Sequence, residues 1–283
     1  SGSLLLLFVF LSAFLAPPLS RLLRMPVPVG ELVIGLLLGH FLAQGVALPE
    51  ILGFLADFGF LLLMFLAGLE VDFNLLRQLE RRHFVFYALY VVGMFLGAGL
   101  LAGLLGVGLA QALILALVSI GLMVATLRDM GILGRAFAKR VLILGVLGEV
   151  ASLFGLTAME KAAHYQGLLS LLKEVGIIAL FFLLLFLAFR LAGLFLWWYP
   201  EVGRRLVYEE DPSAMGIRLS LALMFAAAVM SGLVGLESVL GAFLAGMILS
   251  YFLQKKHDLE AKLSAMGYGF LIPIFFIRTG MGI

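Results

Sequence analysis

Ten long apolar segments constrain this sequence more than any other feature. They are residues 4–23, 28–46, 51–73, 83–106, 109–127, 138–160, 168–198, 213–235, 237–254 and 264–283. Each is long enough to cross a hydrocarbon core about 30 Å thick as a helix. Apolar residues run continuously in them instead of alternating, which favours helices over a barrel. Only 13% of the residues are charged, against about 25% in soluble domains. We therefore predict an all-α polytopic membrane protein with about ten transmembrane helices.

The basic residues predict an orientation. Most Lys and Arg residues, for example Arg77, Arg128 and Lys255, lie in the loops after the odd-numbered segments. Basic loops tend to stay on the cytoplasmic side of a membrane. We therefore expect the N-terminus to lie outside.

One acidic residue lies deep in an apolar segment. Glu149 follows Arg140 by nine residues, about 13 Å along a helix and so near the midplane of the bilayer. An ionised carboxylate there costs about 3 kcal/mol or more, so such residues usually face a water-filled cavity and mark an ion or proton path. The alternative is a protonated Glu149 that hydrogen-bonds to a neighbouring helix. We favour the ion path.

Two pairs of segments are similar to each other. The matches are ELVIGLLLG (31–39) with AFLAGMILS (242–250), and LLLMFLAGLEV (61–71) with LIPIFFIRTGMGI (271–283). They set Gly35 against Gly246 and Gly68 against Gly280. In the predicted topology the paired segments enter the membrane from opposite sides, so the repeat is inverted. Inverted repeats are common in secondary transporters, whose substrate sites lie near the midplane.

This repeat predicts an incomplete chain. The counterparts of the fourth to sixth segments would follow Ile283, so we expect three further helices there. Residues 1–3 (SGS) are expected to be a remnant of cloning.

Four stretches resemble a known family. They are GELVIGLLLG (30–39), FLLLMFLAGLEVD (60–72), LGAFLAGMILS (240–250) and FLIPIFFIRTGM (270–281). They are similar to the cation:proton antiporter-2 family, which contains Kef-type potassium efflux proteins and bacterial sodium/proton antiporters. The resemblance implies a homodimer in which a core domain moves past a dimerisation domain like an elevator. It divides the chain into dimerisation helices 1–3 (4–80), core helices 4–6 (81–163), a linker helix and loop (164–212) and helices 8–10 of the second repeat (213–283).

The resemblance also implies an ion site. The family has an acid in its sixth helix, usually preceded by Asp, Asn or Gln, and the matching pair here is Gly148-Glu149. Its fifth helix is usually broken around a Ser/Thr-rich stretch. Here Ser119 stands at the expected position, with Gly121 as the break and Thr126 further in. Glu149 and Ser119 would then bind H⁺ or a monovalent cation, Na⁺ or K⁺, with Thr126 secondary. One carboxylate holds one proton or one such cation, so we expect electroneutral exchange.

Other residues in the apolar segments have structural interpretations. We expect Asp57 either to line an outer vestibule, as a secondary site residue, or to cap a neighbouring helix. Arg278 needs a partner; we expect a structural ion pair, with coupling to the transport site as the alternative. We expect Glu31 to be a first-turn acid near a helix N-terminus, with an ion ligand as the alternative. Glu70 and Asp72 are expected to form a solvated interfacial cluster.

Spaced glycine pairs predict close helix packing. The pairs are Gly35 with Gly39 and Gly99 with Gly103, and small residues at this spacing let helix backbones approach each other.

Several classes of protein are not expected. The chain has no cysteine, which excludes a disulfide framework and a thiolate metal site. Its four histidines have no ligand-like spacing, so we expect no metal site and no cofactor beyond the transported ions. No Ser-His-acid arrangement suggests an enzyme, and no nucleic-acid partner is expected.

Two functions from different classes remain. The first is a monovalent cation/proton antiporter that uses Glu149. The second is a non-transporting scaffold with a degenerate antiporter fold, which Gly148 and the few Ser/Thr residues of the fifth segment favour. A gated cation channel is a third alternative. We favour the antiporter, embedded in the lipid bilayer of a bacterial inner membrane.

Overall fold

The computed structural model of this chain is helical throughout its main described segments. The described residues are 2–42, 49–71, 81–108, 120–132, 214–234, 236–252 and 257–282, with shorter stretches and single residues between 111 and 198. The helices are α1 (Gly2–Leu22), α2 (Val27–Leu42), α3 (Glu50–Leu69), α4 (Arg81–Leu105), α5 (Ile120–Asp129), α6 (Met215–Leu233), α7 (Ser238–Phe252), α8 (His257–Met266) and α9 (Ile272–Met281), with a π-helix (Gly267–Leu271) between α8 and α9.

Five described helical spans are long and apolar enough to cross a membrane. They are Ser3–Leu22, Glu50–Leu69, Val85–Leu105, Met215–Leu233 and Leu259–Met281. Two shorter apolar helices are Val27–Phe41 and Ser238–Phe252. Large apolar side chains also lie on the outside of the bundle: Phe14 is 77% and Leu104 85% exposed. The prediction of an all-helical membrane protein is confirmed, whereas the predicted total of ten spans extends beyond the described residues.

Six predicted segments begin within two residues of the start of an observed helix, but the tenth segment does not. Its predicted start is residue 264, but a helix begins at His257 and continues through the π-helix. The polar sequence HDLEAKLS resembles a loop in hydropathy. It is nevertheless amphipathic, because Leu259 and Leu263 are buried while Lys262 is exposed. Lys262 lies between the predicted ninth and tenth segments, where the segment bounds predict a loop, but it stands on a helix.

α3 and α7 touch through their backbones, with a glycine on each side. A Cβ built on Gly68 would overlap the carbonyl oxygen of Phe243 and lie 2.9 Å from the nitrogen of Met247. A Cβ on Gly246 would overlap the carbonyl oxygen of Phe65 and lie 3.1 Å from the Cα of Gly68. Only glycine allows this approach at either position.

α2 and α9 meet in the same way. A Cβ on Gly35 would lie 2.9 Å from the Cα of Ile277, and one on Gly280 would lie 2.9 Å from the nitrogen of Leu36. One turn further along α2, a Cβ on Gly39 would lie 2.7 Å from the carbonyl oxygen of Met281. The expectation of close packing at Gly35 and Gly39 is therefore confirmed.

The second predicted glycine pair, on α4, does not pack closely against any described residue. A Cβ added to Gly99 or to Gly103 on α4 would have no described atom within 4 Å. Their neighbours on α4, such as Leu100 and Leu104, are exposed. The close packing expected at Gly99 and Gly103 is therefore wrong for the described part of this chain, because α4 presents this surface to the outside of the bundle.

The main core lies around α3. Buried Leu62 and Leu66 pack in one cluster with Met224 of α6, Ala245 of α7 and Phe276 of α9. α1 adds a smaller cluster in which Leu5 and Val9 join residues of α3 and α9. Helices α1–α3 and α6–α9 thus form one packed body, called the scaffold below.

Candidate functional site

α5 carries the C-terminal half of the stretch predicted to line the ion path, and it packs against the scaffold. Its buried residues Ile120, Val124 and Leu127 form a cluster with residues from α3, α7 and the sixth apolar segment. The buried members from those elements are Met64, Ala67, Ala138, Leu142 and Phe243. α5 therefore lies between α3 and the helical residues of the sixth segment.

The sixth segment crosses α5 at a glycine. A Cβ on Gly145 would lie 2.9 Å from the Sδ of Met123 and 3.6 Å from the Cγ1 of Ile120. Residues 140–145 are helical, as are 147–148 and 151–152. The contact joins the first turn of α5 to the turn that precedes the predicted acid in sequence.

The two principal site residues, Glu149 and Ser119, lie outside the described residues. Their sequence neighbours are described: Gly148 is buried, and Ser152, only 2% exposed, donates a hydrogen bond of 2.7 Å from its Oγ to the carbonyl oxygen of Gly148. Sequence reasoning missed Ser152. The sequence signal for Ser152 is a hydroxyl group in an apolar segment. Ser152 follows Glu149 by three residues and would therefore share one face of a helix with it.

Thr126 lies nearer the end of α5. It is half-buried and about 9 Å along the helix from Ile120. The end of α5 is fixed just beyond it, where Gly131 adopts a left-handed conformation (φ +68°) and Ile132 N donates to Leu127 O at 3.1 Å. This is the usual glycine-terminated helix end. Thr126 therefore belongs to the second half of α5, away from the crossing at Gly145.

Asp57 and Arg278 lie on the adjacent helices α3 and α9. Phe60 of α3 stacks on Phe275 of α9 with ring centres 4.5 Å apart, and each charged residue is three positions from one of these rings. Asp57 is exposed, and Arg278 is half-buried with an Nε that has no hydrogen-bond partner among the described residues. No ion pair within 4.0 Å joins the two side chains. The ion pair predicted for Arg278 is not seen among the described residues and stays a prediction.

Glu31 is not a first-turn acid. α2 begins at Val27, since Pro28 is compatible with a first helical turn, and this makes Glu31 the fifth residue of the helix. The residue is only 4% exposed. Its carboxyl group is therefore packed inside the bundle rather than solvated at a helix end.

Polar contacts gather where α5 ends, at a place that the sequence did not predict. The carboxylate Oδ2 of Asp129 accepts a hydrogen bond of 3.0 Å from the backbone nitrogen of Val27. The guanidinium carbon of Arg128 lies 4.7 Å from the ring centre of Tyr268. Its Nη1 lies 4.0 Å from the Oε1 of Glu70, at side-chain exposures of 34% and 21%. Glu70, expected in a solvated cluster, thus faces the end of α5.

The chain belongs to the transmembrane sodium/hydrogen exchanger family, whose sequence pattern it matches over residues 10–283. It is 28% identical over 303 aligned residues to YjbQ of Bacillus subtilis, provisionally named a Na⁺/H⁺ antiporter, covering 98% of this chain and 47% of YjbQ. It is 29% identical over 290 residues to a Na⁺/H⁺ antiporter of Enterococcus hirae, covering 98% and 72% of the two chains.

A potassium-efflux protein is also similar. KefC of Escherichia coli, named a glutathione-regulated potassium-efflux system protein, is 28% identical over 283 residues, which cover 96% of this chain and 44% of KefC. The chain thus spans about half the length of YjbQ and of KefC. The resemblance to the cation:proton antiporter-2 family is confirmed, and the chain is a membrane protein of a transporter family rather than of an enzyme family.

Proposed function

We propose that this chain forms part of an antiporter that exchanges one monovalent cation, Na⁺ or K⁺, for one proton, and that Glu149 is the carboxylate that holds either ion. Membership of the sodium/hydrogen exchanger family supports the reaction class. Relatives named for Na⁺/H⁺ antiport and for K⁺ efflux support both cations.

The contact between Gly145 and α5 is the observation that carries this proposal. Ile120 and Met123 pack on Gly145, so the two segments that supply the proposed ion ligands cross each other. Ser119 directly precedes Ile120, and Glu149 follows Gly145 by four residues, about one helical turn. The oxygens of both side chains therefore belong to segments in contact, as one shared ion site requires.

The chemistry follows from a single carboxylate. An ionised Glu149 offers oxygen ligands, which hard cations such as Na⁺ and K⁺ prefer, whereas a protonated carboxyl group binds them poorly. Proton and cation therefore compete for Glu149, and each binding event carries one positive charge. Gly148 supplies no second acid, so the exchange is electroneutral.

The contacts of the scaffold also support an inverted repeat. A two-fold relation that exchanges α2 with α7 and α3 with α9 must convert a contact of α2 with α9 into a contact of α7 with α3. Both contacts are present, and each runs through the glycines that the sequence paired. We include this repeat in the proposal, together with an outside N-terminus, a homodimer and a bacterial inner membrane.

Cation-driven proton release, measured in proteoliposomes, tests the role of Glu149. We expect Na⁺ or K⁺ gradients to drive proton release between pH 6 and 9, and Glu149→Gln to abolish it because an amide cannot exchange a proton. Glu237→Gln is the matched control, since Glu237 is an exposed acid between α6 and α7, and it should retain transport. Equal activity of Glu149→Gln and the unaltered protein would refute the mechanism.

A non-transporting scaffold is the second candidate function. Gly148 favours it, because the residue stands where the family has a polar side chain, and its carbonyl oxygen already accepts the hydrogen bond from Ser152. This candidate predicts no cation-driven proton release from the unaltered protein, including a version extended to the full length of its relatives.

A further inference from the structure

The end of α5 carries two adjacent residues of opposite charge that reach different parts of the scaffold. Asp129 accepts a hydrogen bond from the nitrogen of Val27, the first residue of α2. The first four N–H groups of a helix lack acceptors within that helix, and its N-terminus attracts negative charge. Asp129 therefore caps α2 from a separate helix, 102 positions away in sequence.

Arg128 contacts α3 and the π-helix. Its guanidinium group lies over the ring of Tyr268, with 4.7 Å from its carbon to the ring centre, and faces Glu70 at the end of α3. This is the geometry of a cation–π contact. The ring face of Tyr268 makes the contact with Arg128, and the buried Tyr268 hydroxyl has no hydrogen-bond partner within 3.5 Å among the described residues. Tyr268 lies in the π-helix, a distortion frequent at functional sites.

We propose that Arg128 and Asp129 are positioning residues that hold α5 against α2, α3 and the π-helix, and that both contacts break when α5 moves during transport. This inference rests on the proposed function, because the proposed antiport is what requires α5 to move. Gly131 fixes the end of α5 directly after both residues, so the two side chains are held on one rigid turn. We call these two contacts the α5 clamp.

Directionality makes the α5 clamp different from the apolar contacts of α5. The remaining contacts described above are apolar, and apolar contact is non-directional, so it tolerates sliding of one helix on another. A hydrogen bond weakens steeply when its angle is lost, and a cation–π contact needs the cation over the ring face. The clamp thus favours one position of α5 over all others.

A cysteine reporter tests the clamp without any transport measurement. The chain has no native cysteine, and Ala125 of α5 is 2% exposed in the core cluster with α3. In liposomes, Ala125→Cys should react slowly with N-ethylmaleimide. Arg128→Gln or Asp129→Ala should raise that rate about 5-fold, the order expected for losing one such contact. Unchanged rates in both variants would overturn the proposal.

Tyr268 supplies the matched controls. Tyr268→Phe keeps the ring and should leave the rate unchanged, whereas Tyr268→Leu removes the ring and should raise the rate. Combining Tyr268→Leu with Arg128→Gln should add nothing further. A second reporter, Ala228→Cys on α6 (3% exposed), should stay slow throughout. A rise at both reporters would mean general destabilisation and would refute a positioning role.

Transport kinetics separate positioning from folding. The clamp lies at the end of the bundle that the basic residues assign to the cytoplasm, and it holds α5 against the scaffold on that side. Losing the clamp favours opening toward the cytoplasm. It therefore lowers the fraction of protein that is open to the outside. Apparent affinity scales with the competent fraction. In Arg128→Gln the cation KM should therefore rise several-fold from the outer side and fall from the cytoplasmic side. A lower maximal rate with both KM values unchanged would contradict the proposal. If the unaltered protein does not transport, the labelling series still decides whether the clamp exists.

Discussion

The close approach of α3 and α7 makes Gly68→Ala the most informative stability variant. Its added methyl group would overlap the carbonyl oxygen of Phe243 and lie 2.9 Å from the nitrogen of Met247. Both atoms belong to the backbone of a helix, so no side-chain rotation removes the overlap and the two helices must separate. Gly97→Ala on α4 is the control, because no described atom lies within 4 Å of its added Cβ.

The two variants isolate the packing cost. Replacing glycine by alanine within a helix is worth up to about 1 kcal/mol in either case, so this gain cancels in the comparison. Overpacking a well-filled interface costs about 1–3 kcal/mol, and an overlap with backbone belongs at the upper end. Gly68→Ala should therefore be about 2–3 kcal/mol less stable than Gly97→Ala.

Thermal denaturation in detergent, followed by the folded peak in size-exclusion chromatography, measures this difference. About 2–4 °C per kcal/mol for chains of this size gives a Tm of Gly68→Ala roughly 5–10 °C below that of Gly97→Ala. Gly246→Ala should fall by a similar amount, since it opens the same contact from α7. Equal Tm values for Gly68→Ala and Gly97→Ala would refute the close approach of α3 and α7.

Three further outcomes are expected in the same assay. Phe60→Leu should lower the Tm because it removes the ring stack with α9, worth about 0.5–1.5 kcal/mol beyond burial, while Phe54→Leu should change it little since Phe54 is 61% exposed. Ser250→Ala should cost about 1 kcal/mol, because its Oγ donates a hydrogen bond of 2.9 Å to the carbonyl oxygen of Val71; an unchanged Tm would contradict that bond. Asp57→Asn should leave the Tm unchanged, since the carboxylate is exposed; a loss of several degrees would show a buried contact.

Hydropathy predicted the helices well where apolar sequence and helix coincide. α2 and α7 start within one residue of their predicted positions. Hydropathy failed to predict α8, because only one face of this polar helix is buried. Leu259 and Leu263 are four residues apart and reach the core, but an average over the whole segment hides them. Sequence alone could have found α8 from this spacing.

The contacts at the end of α5 were less accessible to sequence reasoning. In sequence, Arg128 is one of many basic residues that indicate topology, and nothing local shows that it faces Tyr268. Tyr268 lies in the π-helix, which has no reliable local sequence signal. Glu149, in contrast, is conspicuous in sequence because it is isolated among apolar residues.

The glycine contact between α3 and α7 can form only late in the synthesis of this protein. The hydrogen bond from Ser250 to Val71 links positions 179 residues apart, and the neighbouring contact of Gly68 with Gly246 has a similar span. At about 5–20 residues per second, α3 waits roughly 10–35 s after its own synthesis before α7 exists. During that time its glycine surface has only lipid, the translocation machinery or other newly made helices as neighbours. Early release of the nascent chain would therefore expose a surface that its own N-terminal helices cannot cover.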